Sequence, residues 1–180
     1  MAQLPFIAAI DAGIHQEMRR DPSVLYFGQN MATTENHEFV AAYGHDRVRV
    51  TPISETAEIG IAIGAAMAGL RPVAEIMTIN FAFLALDAII NHAAKVHYMF
   101  NGQFTVPLVI RAATGWGDQA TATHSHMPEP IFAHFPGLLV ACPSTPADAK
   151  GMLKASIRDE NPILFTETIA LYSKPGLVPE

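Results

Sequence analysis

The sequence lacks several features that would each assign a class of function. Cys142 is its single cysteine, so the chain has neither an internal disulfide nor the spaced cysteines of a zinc ribbon. Only 16% of the residues are charged, the net charge is -6, and the lysines and arginines are scattered. Because nucleic-acid binding needs a basic surface that displaces counterions, we expect no nucleic-acid partner. The cysteine usage suits a reducing compartment, and we predict a cytoplasmic location.

Long apolar runs are also missing. The first ten residues lack the basic flank and the long apolar core of a signal peptide, so we expect no export. The apolar segment from Ile59 to Leu70 is shorter than the roughly 20 residues that cross a bilayer, and it is rich in Gly and Ala. We therefore expect a buried helix there and no membrane partner.

Strand patterns alternate with helix patterns along the chain. Apolar spacing predicts helices over residues 4–20, 37–43, 54–70, 81–100 and 146–158, and strands over residues 24–27, 47–50, 73–77, 105–110, 138–141 and 163–166. This alternation predicts a doubly wound α/β fold, a mainly parallel sheet with helices on both faces. We expect one domain over residues 1–172, with 173–180 as a linker or frayed end toward a further domain.

One predicted helix has an unusual composition. It begins with two carboxylates, Glu55 and Glu58, and its body contains Gly60, Gly64 and Gly69. Glycine costs about 1 kcal/mol per helical position relative to alanine, so a compensating gain is expected, such as close approach of another backbone. Gly60 and Gly64 thus predict self-association through this helix. The simplest interpretation of Glu55 alone is an acid favoured by the helix dipole.

The spacing in this helix is typical of a known family. Glu55, Gly60, Ile61, Gly64 and Ala65 fit the signature of the pyrimidine-binding domains of thiamine-diphosphate enzymes. Other segments resemble, in the same order, the β subunit of 2-oxoacid dehydrogenases: residues 71–75, 87–95, 102–111, 136–138, 143–151 and 157–159. The resemblance covers nearly the whole chain, and it outweighs the helix-dipole interpretation of Glu55.

The resemblance implies an active site shared between subunits. In that family an α subunit holds the diphosphate and Mg²⁺ of thiamine diphosphate, and the β subunit holds the aminopyrimidine ring. This sequence has no Gly-Asp-Gly run with a following Asn, so we expect the partner to hold Mg²⁺. The implied activity is decarboxylation of pyruvate or a branched-chain 2-oxoacid, with acyl transfer to lipoamide on an acyltransferase core. A second domain, which the family's β subunits carry, is expected beyond residue 172.

The resemblance also assigns roles to individual residues. Glu55 is implied to be catalytic, since a buried carboxylate can hydrogen-bond a ring nitrogen of the aminopyrimidine. Met77 and Phe81 are implied to contact the cofactor, with Phe81 stacked on the ring; a core phenylalanine is the alternative. His124 is implied to lie at the mouth of the active site and to assist catalysis, against the alternative of a water-exposed loop histidine.

Two interpretations of the sequence involve a metal ion. The resemblance implies a structural K⁺ site built largely from backbone oxygens, which suit a hard cation; an ordinary turn at the end of a helix explains the same residues equally well. The residues concerned are Leu108, Ser156, Ile157, Asp159 and Asn161. A different interpretation of the loop around His124 is a zinc site, formed with His126, Asp118 and His134.

The sequence departs from the family after its first strand. Gly28-Gln29-Asn30 stands where the family has Gly-Glu-Asp or Gly-Glu-Glu, and that glutamate is thought to join proton communication between paired sites. Gln29 cannot titrate, so such coupling is not expected through it.

The amides Gln29 and Asn30, with the short segment that follows, favour a rival interpretation of the chain as a non-catalytic assembly module. An acetoin-cleaving or transketolase-like enzyme is a further alternative, because the pyrimidine-binding half does not determine the substrate.

Overall fold

A computed structural model describes residues 1–29, 38–115 and 120–179. The strands are β1 (Ala2–Pro5), β2 (Val24–Gly28), β3 (Val48–Val50), β4 (Arg71–Thr78), β5 (Val109–Thr114), β6 (Leu139–Ala141), β7 (Ile163–Thr168) and β8 (Pro175–Val178). The α-helices are α1 (Phe6–Arg20), α2 (Glu38–Tyr43), α3 (Glu55–Met67), α4 (Val96–Met99), α5 (Glu129–Ala133) and α6 (Pro146–Arg158). The polar segment before α2 lies outside the described residues.

Six of the described strands form one parallel sheet in the order β3-β2-β4-β5-β7-β6. Two separate apolar clusters pack around it. One includes Ile59 and Ile63 of α3, Ile89, and Phe132 of α5, and the other joins α1 and α6 to the sheet through residues such as Phe165. The prediction of a doubly wound α/β fold is confirmed.

The ends of two helices follow from their sequences. At the start of α6, the Thr145 hydroxyl accepts a hydrogen bond from the Asp148 backbone N–H at 3.1 Å, and Pro146 occupies the first helical position, as the sequence predicts. Helix α3 ends at Met67, three residues earlier than predicted, because Gly69 adopts φ +92°, a left-handed conformation that terminates helices.

The prediction of one continuous helix over residues 81–100 is wrong. The segment consists of a 3-10 turn at Ile79–Phe83, a π-helical turn at Ala88–Ala93 and the short helix α4. The backbone of Gly137 lies so close to it that an added Cβ would meet the Ala94 carbonyl oxygen at 2.0 Å. The Ala94 N–H donates to the Ile89 carbonyl, which is π-helical spacing. The segment is therefore not the regular helix that apolar periodicity predicts, and its irregular part packs against the backbone of a neighbouring loop.

Two further boundaries differ from the sequence predictions. The strand predicted at 105–110 begins at Val109, because the preceding Leu108 N–H bonds locally to the Val106 carbonyl rather than to a strand. The tail also contributes a strand: β8 pairs antiparallel with β1, with Val178 opposite Ala2. Residues 175–178 are therefore not frayed, which corrects that part of the prediction for 173–180. In the described parts of the chain, no helix is both long and apolar enough to span a bilayer.

Candidate active site at the carboxyl ends of the strands

The candidate site lies where β2, β3 and β4 end and α3 begins. The chain leaves β2 to form β3 on one side and then crosses back to form β4 on the other, so the sheet reverses its winding direction here. Such switch points at the carboxyl ends of parallel strands are the usual ligand sites of open α/β sheets. The Thr51 N–H donates to the Gly28 carbonyl at 2.9 Å, and the Gln29 N–H donates to the Glu75 carbonyl at 3.3 Å.

Gly28 permits this close arrangement. A Cβ at position 28 would lie 2.4 Å from the Glu75 carbonyl oxygen, far inside van der Waals contact. Only a glycine therefore lets the end of β2 approach β4 this closely. As a consequence, Gln29 lies between β4 and α3, where its backbone N–H bonds Glu75 and its side chain bonds Glu58.

Glu55 is the first residue of α3 and only 4% exposed. Its carboxylate lies at the positive end of the helix dipole, which favours negative charge. Nevertheless, no residue in the described part of the chain donates a hydrogen bond to it. Buried polar groups are normally hydrogen-bonded, so this carboxylate is suited to a donor from a ligand or a partner.

Glu58 lies one helical turn after Glu55 and is 1% exposed. Its Oε2 accepts hydrogen bonds from the Gln29 side-chain amide and the Thr51 hydroxyl, each at 3.1 Å. Burial raises the pKa of Glu58 to about 7, while these two hydrogen bonds act in the opposite direction. Its other oxygen, Oε1, and the Oε1 of Gln29 are both buried without a partner among the described residues.

The structure brings together two of the predicted site residues, Phe81 and His124. Their ring centroids are 5.1 Å apart and the rings meet edge to face at 80°. The Thr56 hydroxyl, next to Glu55, donates to the Leu84 carbonyl at 2.6 Å, which ties the start of α3 to the turn that carries Phe81. Glu55, Phe81 and His124 therefore belong to connected segments, although the structure records no direct contact of Glu55 with either ring.

Met77 lies at an irregular point of β4. The pairing of β4 with β5 shifts between Glu75 and Thr78, and Met77 has φ +46°, which is uncommon for a residue with a side chain. The side chain is 47% exposed. Backbone strain of this kind concentrates at functional sites, and here it turns a large apolar side chain outward at the end of the strand.

The residues predicted for a K⁺ site lie together at the end of α6. The Leu108 carbonyl accepts from the Ile163 N–H at 2.8 Å, and the Asp159 side chain accepts from the Asn161 N–H at 2.8 Å. A cationic group is already present: the Arg71 guanidinium donates to the carbonyls of Ile157 at 3.0 Å and Asp159 at 3.1 Å. The Ser156 hydroxyl bonds within its own helix, to the Met152 carbonyl.

The zinc alternative gains no support. His126 Nδ1 lies 2.7 Å from the side-chain amide of Asn80, and His124 Nδ1 lies 3.0 Å from the Thr123 hydroxyl, so the two imidazoles have separate partners. Within residues 1–29, 38–115 and 120–179, no three or more His, Cys, Asp or Glu side chains are grouped as metal ligands. Asp118 lies outside these ranges.

Sequence reasoning missed the contributions of Glu58 and Asn80. Glu58 follows Glu55 by three residues, a spacing that puts both acids on the same helix face, so the signal was available. The partnership of Asn80 with His126 joins positions 46 residues apart, and no local pattern indicates it.

Comparisons with known proteins identify the family of the chain. The family model described as transketolase, pyrimidine binding domain matches residues 2–174. The β subunit of the acetoin:2,6-dichlorophenolindophenol oxidoreductase of Cupriavidus necator is 46% identical over 186 residues, covering 96% of this chain and 55% of that protein. The mitochondrial pyruvate dehydrogenase β subunit of Caenorhabditis elegans is 43% identical over 171 residues, covering 92% of this chain and 49% of that protein.

The chain thus spans about half the length of these curated relatives. A solved structure titled split gene transketolase, inactive beta4 tetramer, matches with a TM-score of 0.76, covering 98% of this chain and 53% of that one. Its identity of 19% supports a shared fold. On the match of the family model to almost the entire sequence, the chain belongs to the transketolase pyrimidine-binding domain family.

Proposed function

We propose that this chain is the pyrimidine-binding part of the β subunit of a thiamine-diphosphate-dependent 2-oxoacid dehydrogenase. With an α subunit it decarboxylates a 2-oxoacid, either pyruvate or a branched-chain one, and transfers the acyl group to lipoamide on an acyltransferase core. The observation that carries this proposal is the buried Glu55 carboxylate, which has no donor in the described chain and begins a helix at the switch point of the sheet.

The residues present fit the aminopyrimidine half of the cofactor. Glu55 offers a buried acceptor for a ring nitrogen, and hydrogen bonds are strengthened in such a low-dielectric setting. Phe81 offers an aromatic face, and Met77, exposed at the end of β4, offers an apolar side chain. When bound, thiamine diphosphate supplies the electron sink for decarboxylation. His124 lies at the edge of the Phe81 ring, where it is suited to orient a substrate carboxylate or the lipoyl group.

The Mg²⁺-diphosphate is assigned to the α subunit in this proposal. The sequence has no Gly-Asp-Gly run with a following Asn to hold it. No cluster of acidic or imidazole ligands occurs in the described residues either. An incomplete site of this kind requires a partner chain for activity.

We also propose that the outer face of α3 meets a second copy of the chain. A Cβ at Gly60 or Gly64 would touch nothing within 4 Å, so this glycine face is open in the single chain. The same face borders a cavity of about 530 Å³ lined mainly by apolar residues, among them Ile63, Met67 and Phe100. Ile61 on α3 is 64% exposed, and large exposed apolar patches mark interaction sites.

Substitution of Gly64 tests this interface. Because the position faces open space, Gly64→Leu should leave the fold of the chain intact while its side chain separates the two helices. Analytical ultracentrifugation should show the wild-type chain as an oligomer and the variant as a smaller species. Gly151→Leu, at another open glycine position on α6, is the matched control and should leave the oligomeric state unchanged.

A structural K⁺ ion and a cytoplasmic location complete the proposal. Support for K⁺ is the convergence of backbone oxygens at the end of α6, where an ion would share the Ile157 and Asp159 carbonyls with Arg71.

The proposed cytoplasmic location rests on the single cysteine. The relative from Caenorhabditis elegans is named mitochondrial, and imaging of the tagged full-length chain distinguishes the two compartments.

Removal of the Glu55 charge tests the central proposal. In the reconstituted complex with the α subunit, Glu55→Gln should lower kcat by at least about 100-fold, the usual scale for the loss of a group that moves protons in catalysis. Asp148→Asn removes a carboxylate from the start of α6 and should retain nearly full activity. Activity that is indifferent to Glu55→Gln would instead support the non-catalytic assembly module.

Acetoin cleavage is the second candidate function. It is favoured by the acetoin oxidoreductase β subunit, which is 46% identical to this chain. Turnover of pyruvate, branched-chain 2-oxoacids and acetoin by the same reconstituted complex decides between the two. Preference for acetoin with little turnover of any 2-oxoacid would establish the second candidate.

A further inference from the structure

Glu58 and Gln29 present an unusual pattern of hydrogen bonds. The Gln29 amide nitrogen donates to Glu58 Oε2 at 3.1 Å, yet the remaining oxygen of each group is buried with no partner among the described residues. Both remaining atoms are acceptors if Glu58 is ionised. Unsatisfied buried acceptors are rare in folded proteins, so two in one contact ask for an explanation.

A single proton resolves this pattern. A protonated carboxylic acid has one O–H donor and one carbonyl acceptor. A primary amide has a carbonyl acceptor and two N–H donors, one of which points to the same side as the carbonyl oxygen. The two groups can therefore pair reciprocally, with the amide N–H on one acid oxygen and the acid O–H on the amide oxygen. The N–H half of this ring is already formed in the structure.

The surroundings of Glu58 also oppose its ionisation. The side chain is 1% exposed and makes no ion pair with any residue the structure describes. The charged groups that act on it, Glu55 from its own helix and Glu75 from β4, are both acids and disfavour a further negative charge. The hydrogen bonds that Thr51 and Gln29 donate lower the pKa of Glu58, but burial outweighs them. Burial raises the pKa of Glu58 to about 7, in agreement with this arrangement.

We propose that Glu58 is a neutral carboxylic acid paired with the Gln29 amide, and that this pair stores a proton one helical turn from Glu55. In this pair the acid is Glu58 on α3, and the amide is Gln29, which follows β2. Glu58 is a positioning residue that acts through Glu55: when it ionises, a second negative charge appears beside the Glu55 carboxylate. This consequence for Glu55 rests on the proposed function, whereas the protonation of Glu58 does not.

Infrared spectroscopy of the full-length chain tests the protonation. Wild type should show a carbonyl band of a neutral carboxylic acid at about pH 6 that disappears by about pH 9, with a midpoint near 7. Glu58→Gln should lack this band. Burial also raises the pKa of Asp11, but any contribution from Asp11 remains in both proteins and cancels in the difference spectrum. Identical spectra of wild type and Glu58→Gln at about pH 6 would overturn the proposal.

A double variant with the two residues exchanged is the control in case Glu58→Gln does not fold. In Gln29→Glu with Glu58→Gln the acid and the amide exchange positions, so a neutral-acid band should reappear even if Glu58→Gln alone is poorly folded. Absence of the band in a folded swapped variant would contradict the reciprocal pairing.

The reconstituted complex provides the functional readout. The pH profile of kcat/KM should have an inflection near 7 in wild type and in the swapped variant, and Glu58→Gln should lack it. A uniform drop in rate with an unchanged profile would contradict the role assigned to Glu58. Failure of the proposed function would be seen separately, as indifference to Glu55→Gln, and would leave the infrared result unaffected.

Discussion

Two clusters of buried acidic side chains among the described residues differ in how their charges are compensated. In the paired cluster, Glu75 and Glu167 flank Arg111, whose guanidinium bonds Glu167 through Nε at 2.5 Å and through Nη2 at 3.0 Å. Tyr26 completes it, donating to Glu75 and accepting from Arg111 at 2.7 Å. In the open cluster, Glu58 accepts a hydrogen bond from Gln29 and lies one helical turn from Glu55, and neither acid has an ion pair with the described residues.

From this difference we expect the paired cluster to be structural and the open cluster to be available to a ligand. Each acid of the paired cluster has a cation within reach. Burial lowers the pKa of Arg111, but Glu167, Tyr26 and Glu75 together raise it well above its usual range. A closed network of this kind binds nothing further. The open cluster leaves a carboxylate and two oxygen atoms without partners among the described residues, so a proton, a ligand or another chain can bind there.

The largest expected effect follows from breaking the paired cluster. Arg111→Met leaves Glu75 and Glu167 buried without their cation, and the loss of one member of a buried ion pair costs about 3–5 kcal/mol. Urea unfolding followed by circular dichroism measures the loss. Arg49→Met is the control, because Arg49 is an exposed residue 4.0 Å from Asp46 and such surface pairs are worth less than about 1 kcal/mol. Equal losses in the two variants would contradict the assignment of the cluster as structural.

An intermediate effect is expected from pH acting on the open cluster. The pKa of Glu58 in the folded chain is about 7, above its ordinary value of 4.5, so between these values the folded state holds a proton that the unfolded state has lost. The unfolding free energy should therefore fall by up to about 3 kcal/mol as pH rises through this window, relative to Glu58→Gln. Denaturant titrations of both proteins at several pH values measure the difference. Parallel pH dependences would show that Glu58 titrates normally.

The smallest expected effect is that of Glu55→Gln on stability. Because the Glu55 carboxylate has no donor in the described chain, its replacement by a neutral amide of the same shape removes no internal hydrogen bond. We expect the unfolding free energy to change by less than about 1 kcal/mol, although activity is expected to be lost. Thermal unfolding of the chain without cofactor measures this. A loss as large as that of Arg111→Met would place Glu55 in the structural framework instead.

Sequence reasoning predicted the fold well where local pattern and global topology agree. The alternation of strands and helices fixed the α/β class, and the capping residues at Thr145 and Pro146 fixed the start of α6. It failed over residues 81–100, where apolar spacing suggests a regular helix. There the chain forms a π-helical turn over Ala88–Ala93 and packs against Gly137 at Ala94, a contact that no nearby residue indicates.

The candidate site was predicted through family resemblance more than through local chemistry. The spacing of Glu55, Gly60 and Gly64 located one carboxylate, but the sequence alone treated Gln29 as the loss of a titratable group. Gln29 and Glu58 are 29 positions apart, and their contact depends on the packing of α3 over the end of β2. Pairings of this kind follow from tertiary structure and have no one-dimensional signature.

The near contact of Gly28 with the Glu75 carbonyl has a practical consequence for engineering. Any side chain at position 28 would wedge β2 away from β4 and carry the amide at 29 out of reach of α3. Libraries that aim to change the proton affinity of Glu58 should therefore hold residue 28 constant and diversify residues 29 and 58 together. Gly28 keeps β2 close to β4, and this spacing is what allows the residues at positions 29 and 58 to be exchanged.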